Sequence, residues 1–259
     1  MKNLSYKITI GVLLLVIIIL GVFIATTRPK RIAKIPAAIT VKARIAIVLD
    51  DWGYSMNNLY IIDQIKYPLT ASILPNLNYS RQVAEELHNR GFRIILHLPM
   101  EPYEKYRLEK NTILTTMDEQ TISKIIDEDL ANIVYADGAS NHMGSAATED
   151  ARTMGIVFKE LKKKHIFFLD SFVTSKSVCF NLARKIGLET AKRDVFLDNT
   201  EEAGYIKQQI YKLKLRAKSK GYAIGIGHDR KITLQVLKEV MPQLEKEGFK
   251  FVLLSELAR

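Results

Sequence analysis

Short apolar segments that end in a polar or turn-forming residue recur along this chain at near-regular spacing. From residue 43 onward, eight of them end at Asp50 and Asp51, Pro75 and Asn76, His97, Asn141 and His142, Asp170, Asp198, His228 and Ser255. The steps between successive ends are 22 to 30 residues, apart from one of 45 between His97 and His142. A strand, a loop and a helix together occupy about 30 residues, so the spacing predicts repeated strand–helix units.

The segments between these strands carry apolar residues at helical spacing. Leu234, Leu237, Met241 and Leu244, for example, fall on one face of a helix that ends near Glu247. A helix is also predicted from Thr116, because Thr116 and Glu119 have the spacing of a capping box. Similar patterns predict helices at roughly 55–66, 79–90, 149–164, 176–187 and 202–219.

Near-continuous apolar strands that alternate with helices are typical of a parallel sheet buried on both faces. With seven to eight such units, the predicted fold is α/β, an irregular (β/α) barrel, and an open doubly wound sheet is the alternative. Both folds bring the C-terminal ends of the strands to one edge of the sheet, which in a barrel surrounds one opening, its mouth. The polar residues at the strand ends should therefore lie together there. Arg193 and Asp194 begin a strand and are therefore expected to be structural residues at the opposite end.

The N-terminal region differs from the rest of the chain. Residues 8–26 are almost wholly apolar, and 19 residues at about 1.5 Å each nearly span the ~30 Å core of a bilayer. No clear small-x-small cleavage site follows, which favours an uncleaved signal anchor over a removed signal peptide. The predicted organisation is a membrane anchor or signal segment at 1–26, a basic linker at 27–43 and the barrel domain at 44–259.

The net charge of +10 does not indicate nucleic-acid binding once it is located along the chain. Residues 1–40 hold six basic residues and no acid, which leaves 32 basic and 28 acidic residues, a difference of +4, for the remainder. The glycine-rich motifs of nucleotide-binding loops are absent from the sequence. The single cysteine, Cys179, allows no intramolecular disulfide.

The strand-end residues suggest a metal-assisted hydrolase. Asp51, His97 and His142 would form a set of two histidines and one carboxylate, and three protein ligands with one open position are typical of catalytic zinc. His228, at the end of the seventh strand, could act as a general acid or as an oxyanion partner. Each residue also has a structural interpretation: an aspartate pair before Trp52-Gly53 can be a turn, and a strand-end histidine can be a packing residue. Both aspartates can serve one site only if the chain turns there.

Three further residues at the strand ends have supporting roles in this hypothesis. Asp170 and Asp198 could ligate a metal, orient a histidine or cap the following helix. Support of a ligand is favoured for Asp170, and helix capping for Asp198. Asn141, beside His142, is expected to support the ligands together with Asp170.

Seven ordered motifs give the sequence a family resemblance. The motifs are IVLDDWGYS, SILPN, ILHLPMEP, NHMGS with Thr148 following, FFLDS, RDVFLDN and IGIGH. Over roughly residues 43–257 the chain resembles the divergent polysaccharide deacetylase family. The resemblance implies a polysaccharide-deacetylase-like irregular barrel with a site at its mouth, in which Asp50 would be the base and Asp51 a zinc ligand. The H-x-x-x-H motif of ordinary polysaccharide deacetylases does not occur, so His97 and His142 would ligate from separate strands.

The expected protein is a membrane-anchored, extracytoplasmic hydrolase, periplasmic or on the cell surface. It would use a divalent metal, with zinc expected, to remove acetyl groups from amino sugars of a cell-envelope polysaccharide. Its expected partners are a polysaccharide or oligosaccharide substrate and the membrane, through the N-terminal segment, and no nucleic acid. The alternative is a non-catalytic envelope glycan-binding protein on the same fold. A third hypothesis is a metal phosphoesterase.

Overall fold

The computed structural model describes residues 2–27 and 41–259, and the chain divides into two compact units, Met1–Ala38 and Ile39–Arg259. The first unit contains helix α1 (Lys2–Thr27). Its stretch Tyr6–Thr27 is long and apolar enough to cross a membrane by length and composition, a test that a signal sequence also passes. Residues 28–40, most of the predicted linker, lie outside the described residues.

The second unit alternates strands and helices. Its strands are β1 (Ala43–Trp52), β2 (Thr70–Ile73), β3 (Arg93–Met100), β4 (Ala136–Met143), β5 (Phe167–Asp170), β6 (Thr190–Lys192), β7 (Val195–Phe196), β8 (Tyr222–His228) and β9 (Phe249–Phe251). Its helices are α2 (Leu59–Ile62), α3 (Ser80–Asn89), α4 (Glu119–Asn132), α5 (Ala151–Lys163), α6 (Cys179–Ile186), α7 (Ala203–Lys220) and α8 (Lys231–Lys246).

The strands form one parallel sheet in the order β6-β5-β4-β3-β2-β1-β8-β7, and β9 pairs with the beginning of β1. This curled sheet with its helices confirms the predicted α/β, (β/α) barrel-like class. The short strand β6 was not expected, because its sequence Thr-Ala-Lys is too short to stand out as an apolar run. Among the described residues β6 and β7 are the free ends of the strand order, so hydrogen bonding does not close the barrel.

The alternation of side chains along the strands divides the core into two layers. One layer lies between the sheet and the helices and includes the fully buried Trp52, Phe158 and Phe168. The other fills the inside of the curled sheet with mostly aliphatic residues, among them Val48 and Ile226, together with Phe167. Burial on both faces explains why the strands appear in the sequence as continuous apolar runs.

Charged caps set the start of two helices. The Asp118 carboxylate accepts a hydrogen bond from the Thr121 amide at 2.8 Å, so α4 begins after Asp118 and the predicted capping box from Thr116 is wrong. An aspartate suits this position better than Thr116 because its negative charge also interacts favourably with the helix dipole. Asp150 caps α5 in the same way.

A buried carboxylate on α4 connects two loops of the domain. Asp129 is fully buried, and its Oδ1 accepts hydrogen bonds from the side-chain amides of Asn76, at 2.7 Å, and Asn111, at 3.1 Å. Its Oδ2 is buried without a hydrogen-bond partner. Burial raises the pKa of Asp129 to about 6. The ionised form is therefore less stable in the folded than in the unfolded chain.

We expect Asp129→Asn to remove part of the pH dependence of stability. Because the folded pKa lies above the ordinary value, Asp129 favours folding most at low pH, and this contribution is lost as pH rises through about 6. A shift of about two pKa units corresponds to roughly 3 kcal/mol between pH 4 and pH 7. Thermal unfolding of wild type and variant in a mild detergent across this range measures the difference. Parallel pH profiles for the two proteins would contradict the expectation.

Candidate metal centre

Two consecutive aspartates at the end of β1 reach the same site because the strand is irregular there. The pairing of β1 with β2 shifts register between Leu49 and Trp52, and Asp51 has a positive φ of 64°. Gly53, two residues later, has φ 120° and forms the turn that is needed for both aspartates to serve one site. A positive φ is unfavourable for most residues, although aspartate tolerates it better than most. This bulge allows both carboxylates to approach His97.

Asp51, His97 and His142 converge at the C-terminal ends of β1, β3 and β4. Asp51 Oδ1 lies 3.2 Å from His97 Nε2 and 3.1 Å from His142 Nδ1. The two ring nitrogens are 3.2 Å apart. These are the three residues that the sequence predicted as metal ligands, and among the described residues they form a group able to hold a metal ion.

The separations of these three atoms fit a metal site. Ligands at about 2.0 Å from a tetrahedral zinc ion are about 3.3 Å from one another. Burial opposes ionisation of Asp51, but hydrogen bonds with His142 and His97 hold the pKa of this carboxyl far below its ordinary range. The set therefore offers an ionised carboxylate and two imidazole nitrogens, which suits a divalent cation such as zinc.

Two buried serines hold the His97 ring from behind. Ser140 Oγ lies 2.8 Å from His97 Nδ1 and 2.7 Å from Ser72 Oγ, and both serines are fully buried. If Nδ1 carries the proton and donates it to Ser140, the lone pair of Nε2 is free to bind a metal. The serine pair therefore fixes the orientation and the tautomer that a ligand at this position needs.

We expect Ser140→Ala to weaken metal binding by about 10- to 100-fold, the usual effect of losing a partner behind a ligating histidine. Titration of the metal-free protein with zinc in competition with a chromophoric chelator measures the affinity. Ser171→Ala is the matched control, since Ser171, directly after β5, is also a buried serine but its hydroxyl has no hydrogen-bond partner. Equal effects of the two substitutions would show that the contact with His97 is not the cause.

Asp50 has the environment of a proton acceptor next to the predicted ligands. It is buried, its Oδ2 lies 3.7 Å from His97 Nε2, and its Oδ1 has no hydrogen-bond partner. Burial, assisted by the charge of Asp51, raises the pKa of Asp50, and the charges of His97 and His228 offset only part of this rise. A buried carboxylate with a free oxygen and a raised pKa is suited to general-base chemistry.

His228, at the end of β8, is held by Asp198 from the neighbouring strand end. Asp198 Oδ1 lies 2.9 Å from His228 Nδ1, and its Oδ2 accepts from the His228 amide at 2.8 Å and from Thr233 Oγ1 at 2.6 Å. Burial would lower the pKa of His228, but the hydrogen bond and the charge of Asp198 raise it. The expected helix cap at Asp198 is therefore wrong. Asp198 orients His228, whose Nε2 lies 3.8 Å from Asp51 Oδ2.

Arg193 lies at the mouth, where the sequence did not place it. Its guanidinium donates from Nε to the Ser171 carbonyl at 2.6 Å and from Nη2 to the Phe172 carbonyl at 2.7 Å, both just after β5. Its charge also interacts with Asp50.

The expected position of Arg193 at the opposite end of the barrel was wrong because Arg193 follows the short β6, whose Lys192 pairs with Asp170. Asp194 is structural, accepting from the Ile224 amide at 2.9 Å.

Asp170 and Asn141 shape loops at the mouth. Asp170 accepts from the Phe172 amide at 2.8 Å and from Ser177 Oγ at 2.9 Å, which orders the loop after its own strand. Asn141 accepts from the Ser171 amide at 2.8 Å and donates to the Met143 carbonyl at 2.8 Å. Among the described hydrogen bonds, neither side chain contacts the rings of His97 or His142. Asn141 therefore supports the backbone next to His142. Asp170 was expected to support a metal ligand, but among the described hydrogen bonds its side chain contacts only Phe172 and Ser177.

Tyrosines and glutamates form a rim on the segments after β1, β3 and β4. Tyr54 is 54% exposed and donates to Glu109 Oε1 at 2.6 Å. Tyr103 is 65% exposed and donates to Glu149 Oε2 at 3.0 Å. The charge of Asp51 contributes to a raised pKa of Tyr54, after burial and Glu109. Tyr54 is therefore near enough to Asp51 for their charges to interact, and Tyr103 lies on the loop after β3, the strand that carries His97.

A family model and several known proteins resemble this chain. A family model described as divergent polysaccharide deacetylase matches residues 47–258. The chain is 33% identical over 201 residues to the uncharacterized protein YibQ of Escherichia coli (strain K12), with 78% of this chain and 63% of that protein covered. The chain therefore spans less than two thirds of that relative's length.

Two solved structures resemble this chain over most of its length. An uncharacterized protein from Agrobacterium tumefaciens C58 has a TM-score of 0.80 at 20% identity, covering 86% of this chain and 92% of that chain. The Xyl-CE4 domain of a multidomain xylanase from the hindgut metagenome of Trinervitermes trinervoides has a TM-score of 0.51 at 16% identity, covering 83% and 89%. At these identities the likeness shows a shared fold.

Proposed function

Because this chain belongs to the divergent polysaccharide deacetylase family, we propose that it is a metal-dependent hydrolase that removes acetyl groups from amino sugars of a cell-envelope polysaccharide. The observation that carries the proposal is the convergence of Asp51, His97 and His142 beside the buried Asp50. A ligand set next to a free carboxylate of raised pKa is an arrangement suited to metal-assisted hydrolysis of an amide.

The reaction adds water across the acetamide bond and gives acetate and a free amine. A divalent metal held by Asp51, His97 and His142, for which zinc is the expected ion, would polarise the carbonyl, acidify water and stabilise the developing oxyanion. Asp50 would take the proton of the attacking water through its unpaired Oδ1. His228 would give a proton to the leaving nitrogen as the carbon–nitrogen bond breaks.

Two further interactions support these assignments. Asp198 fixes Nδ1 of His228 and raises the pKa of the ring, so that Nε2 can carry a proton toward the site. The charge of Arg193 acts on Asp50 and favours its ionised form, which is the form that accepts a proton. General acid–base groups of this kind contribute about 10²- to 10⁴-fold each to a rate.

The proposed location follows from the substrate and the N-terminal helix. The apolar stretch Tyr6–Thr27 supports a signal anchor, and the acetylated polymers of the envelope lie outside the cytoplasm. The domain would then act in the periplasm or on the cell surface. Its substrate partner would be an oligosaccharide or polysaccharide, and the exposed Tyr54 and Tyr103 near the site provide faces against which sugar rings can pack.

A glycan-binding protein without turnover is the second candidate. The same tyrosine rim favours it, and so does the absence of the H-x-x-x-H motif that ordinary polysaccharide deacetylases use for metal binding. The two candidates differ in what happens to a bound acetylated sugar. An enzyme releases acetate, and a binding protein does not.

A substrate panel separates the candidates. The zinc-loaded full-length protein is incubated in detergent with N-acetylglucosamine oligomers and, separately, with aryl phosphate esters, and both acetate and phosphate are measured. We expect acetate from the oligomers and no phosphate from the esters. Binding of the oligomers without acetate release would support the glycan-binding protein, and phosphate release alone would support a metal phosphoesterase.

A further inference from the structure

A cleft lies at the open seam of the sheet, between β6 and β8, where hydrogen bonding between strands does not close the barrel. None of its described lining residues belongs to the metal-ligand cluster. Strand β7 pairs with β8 at Gly225 and Ile226, and Asp194 extends the contact to Ile224, so that Tyr222 and Ala223 at the start of β8 are not covered by it. On the other side of the seam, the backbone of Arg259 exchanges two hydrogen bonds of 3.0 Å with Thr190 of β6. The cleft between them has a volume of about 450 Å³, within the usual range for small-molecule sites.

The cleft combines an apolar floor with a basic rim. Ala191, Ile224 and Leu257 are buried members of the inner core layer and line the floor. Four cationic side chains line the cleft as well: Arg184, Lys192, Lys220 and Arg259. No aspartate or glutamate side chain is among its described lining residues.

Three of the four cationic side chains form no ion pair with an aspartate or glutamate side chain among the described residues. Lys220 pairs with Asp194 Oδ1 at 3.1 Å. Among the described residues, Arg184 and Arg259 have no side-chain carboxylate within ion-pair distance, and Lys192 interacts with Asp170 only at longer range.

Aromatic rings hold these cations instead. Arg184 lies 5.8 Å from the centre of the Phe180 ring, Arg259 lies 5.9 Å from that of Tyr222, and Lys192 lies 4.0 Å from that of Phe172. An aromatic face attracts a cation but carries no net charge, so it positions the positive groups without neutralising them. The charge remains free to act on a ligand.

We propose that this cleft binds a small amphiphilic anion, a phosphate or carboxylate group carried on an apolar or aromatic body. The anionic group would lie between Arg184 and Arg259, whose planar guanidinium groups match its oxygen atoms in pairs. The apolar body would pack against the rings of Phe180 and Tyr222, which line the cleft and are only half-buried. The same chemistry occurs in soluble aromatic phosphates and in the phosphate of a membrane lipid.

Calorimetric titration of the full-length protein in detergent tests the proposal with two probes, phenylphosphonate for the soluble source and short-chain dihexanoylphosphatidic acid for the lipid source. We expect saturable binding of at least one, and the tighter probe identifies the source. Arg184→Gln and Arg259→Gln should each weaken binding by about tenfold, the effect of losing one hydrogen bond to a charged group. Inorganic phosphate, which lacks the apolar body, should bind more weakly than phenylphosphonate.

Two controls keep the outcome specific to the cleft. Lys185→Gln removes one positive charge from the exposed face of the same helix, α6, but Lys185 does not line the cleft, so binding should be unchanged. Phosphonates also bind metals, so the Asp51→Asn variant is titrated in parallel and should keep its affinity for the probe. The proposal is overturned if neither probe binds, or if inorganic phosphate binds as tightly as phenylphosphonate. It is also overturned if Lys185→Gln weakens binding as much as Arg184→Gln. Loss of binding in Asp51→Asn with binding kept in Arg184→Gln would place the probe at the metal-ligand cluster and would overturn it as well.

Discussion

Replacing Asp51 with asparagine should abolish both metal binding and hydrolysis while leaving the fold intact. Asp51 Oδ1 lies within 3.2 Å of both ring nitrogens of the predicted ligand set, and it supplies the negative charge of that set. Asparagine keeps the size of the side chain and tolerates the positive φ of 64° at this position. We expect zinc affinity to fall by more than about a hundredfold, because loss of a ligand exceeds the ~10- to 100-fold effect of losing a supporting contact.

Zinc content after dialysis and acetate release are the two measurements for this variant. Asp118→Asn is the matched control, since it removes the same charge from an exposed helix cap that asparagine also fills well. It should keep the metal and the activity. Wild-type zinc affinity in Asp51→Asn would show that the cluster of Asp51, His97 and His142 is not the metal site.

Asp50→Asn should reduce the rate of acetate release by about 10²- to 10⁴-fold without loss of the metal. Asparagine fills the same buried space but cannot accept a proton. Because Asp50 lies 3.7 Å from His97 Nε2, farther than Asp51, we expect metal affinity to change much less than in Asp51→Asn. The contrast between the two neighbouring residues separates the proposed base from the proposed ligand.

Single-turnover and steady-state rates at a fixed zinc occupancy measure the effect of Asp50→Asn. The substituted protein should still bind N-acetylglucosamine oligomers, because the rim tyrosines are unchanged. A wild-type rate in Asp50→Asn at full zinc occupancy would mean that another group takes the proton.

The sequence predicted the class of fold and the site region because both depend on the order of polar strand ends. Parallel strands place these ends at one edge, and the distances among Asp51, His97 and His142 are those of neighbours at such an edge. The sequence also located the turn at Gly53. It did not predict the positive φ of Asp51, which depends on how β1 pairs with β2 rather than on any local motif.

The supporting residues were harder to predict because their roles depend on contacts between distant segments. Asp198 and His228 are 30 residues apart and meet only through their neighbouring strand ends, so a local interpretation of Asp198 favoured a helix cap. Arg193 was misplaced because the three-residue β6 has no apolar run. The hydrogen bonds that join Ser72, Ser140 and His97 come from three different strands, and no spacing in the sequence indicates them.

Acetate release during stepwise zinc reconstitution of the metal-free full-length protein tests the central claim most directly. With N-acetylglucosamine oligomers as substrate, we expect no release from the metal-free protein and a linear increase that reaches its plateau at one zinc ion per chain. Release that does not depend on zinc, or no release at full occupancy while the oligomers remain bound, would contradict a metal-dependent deacetylase.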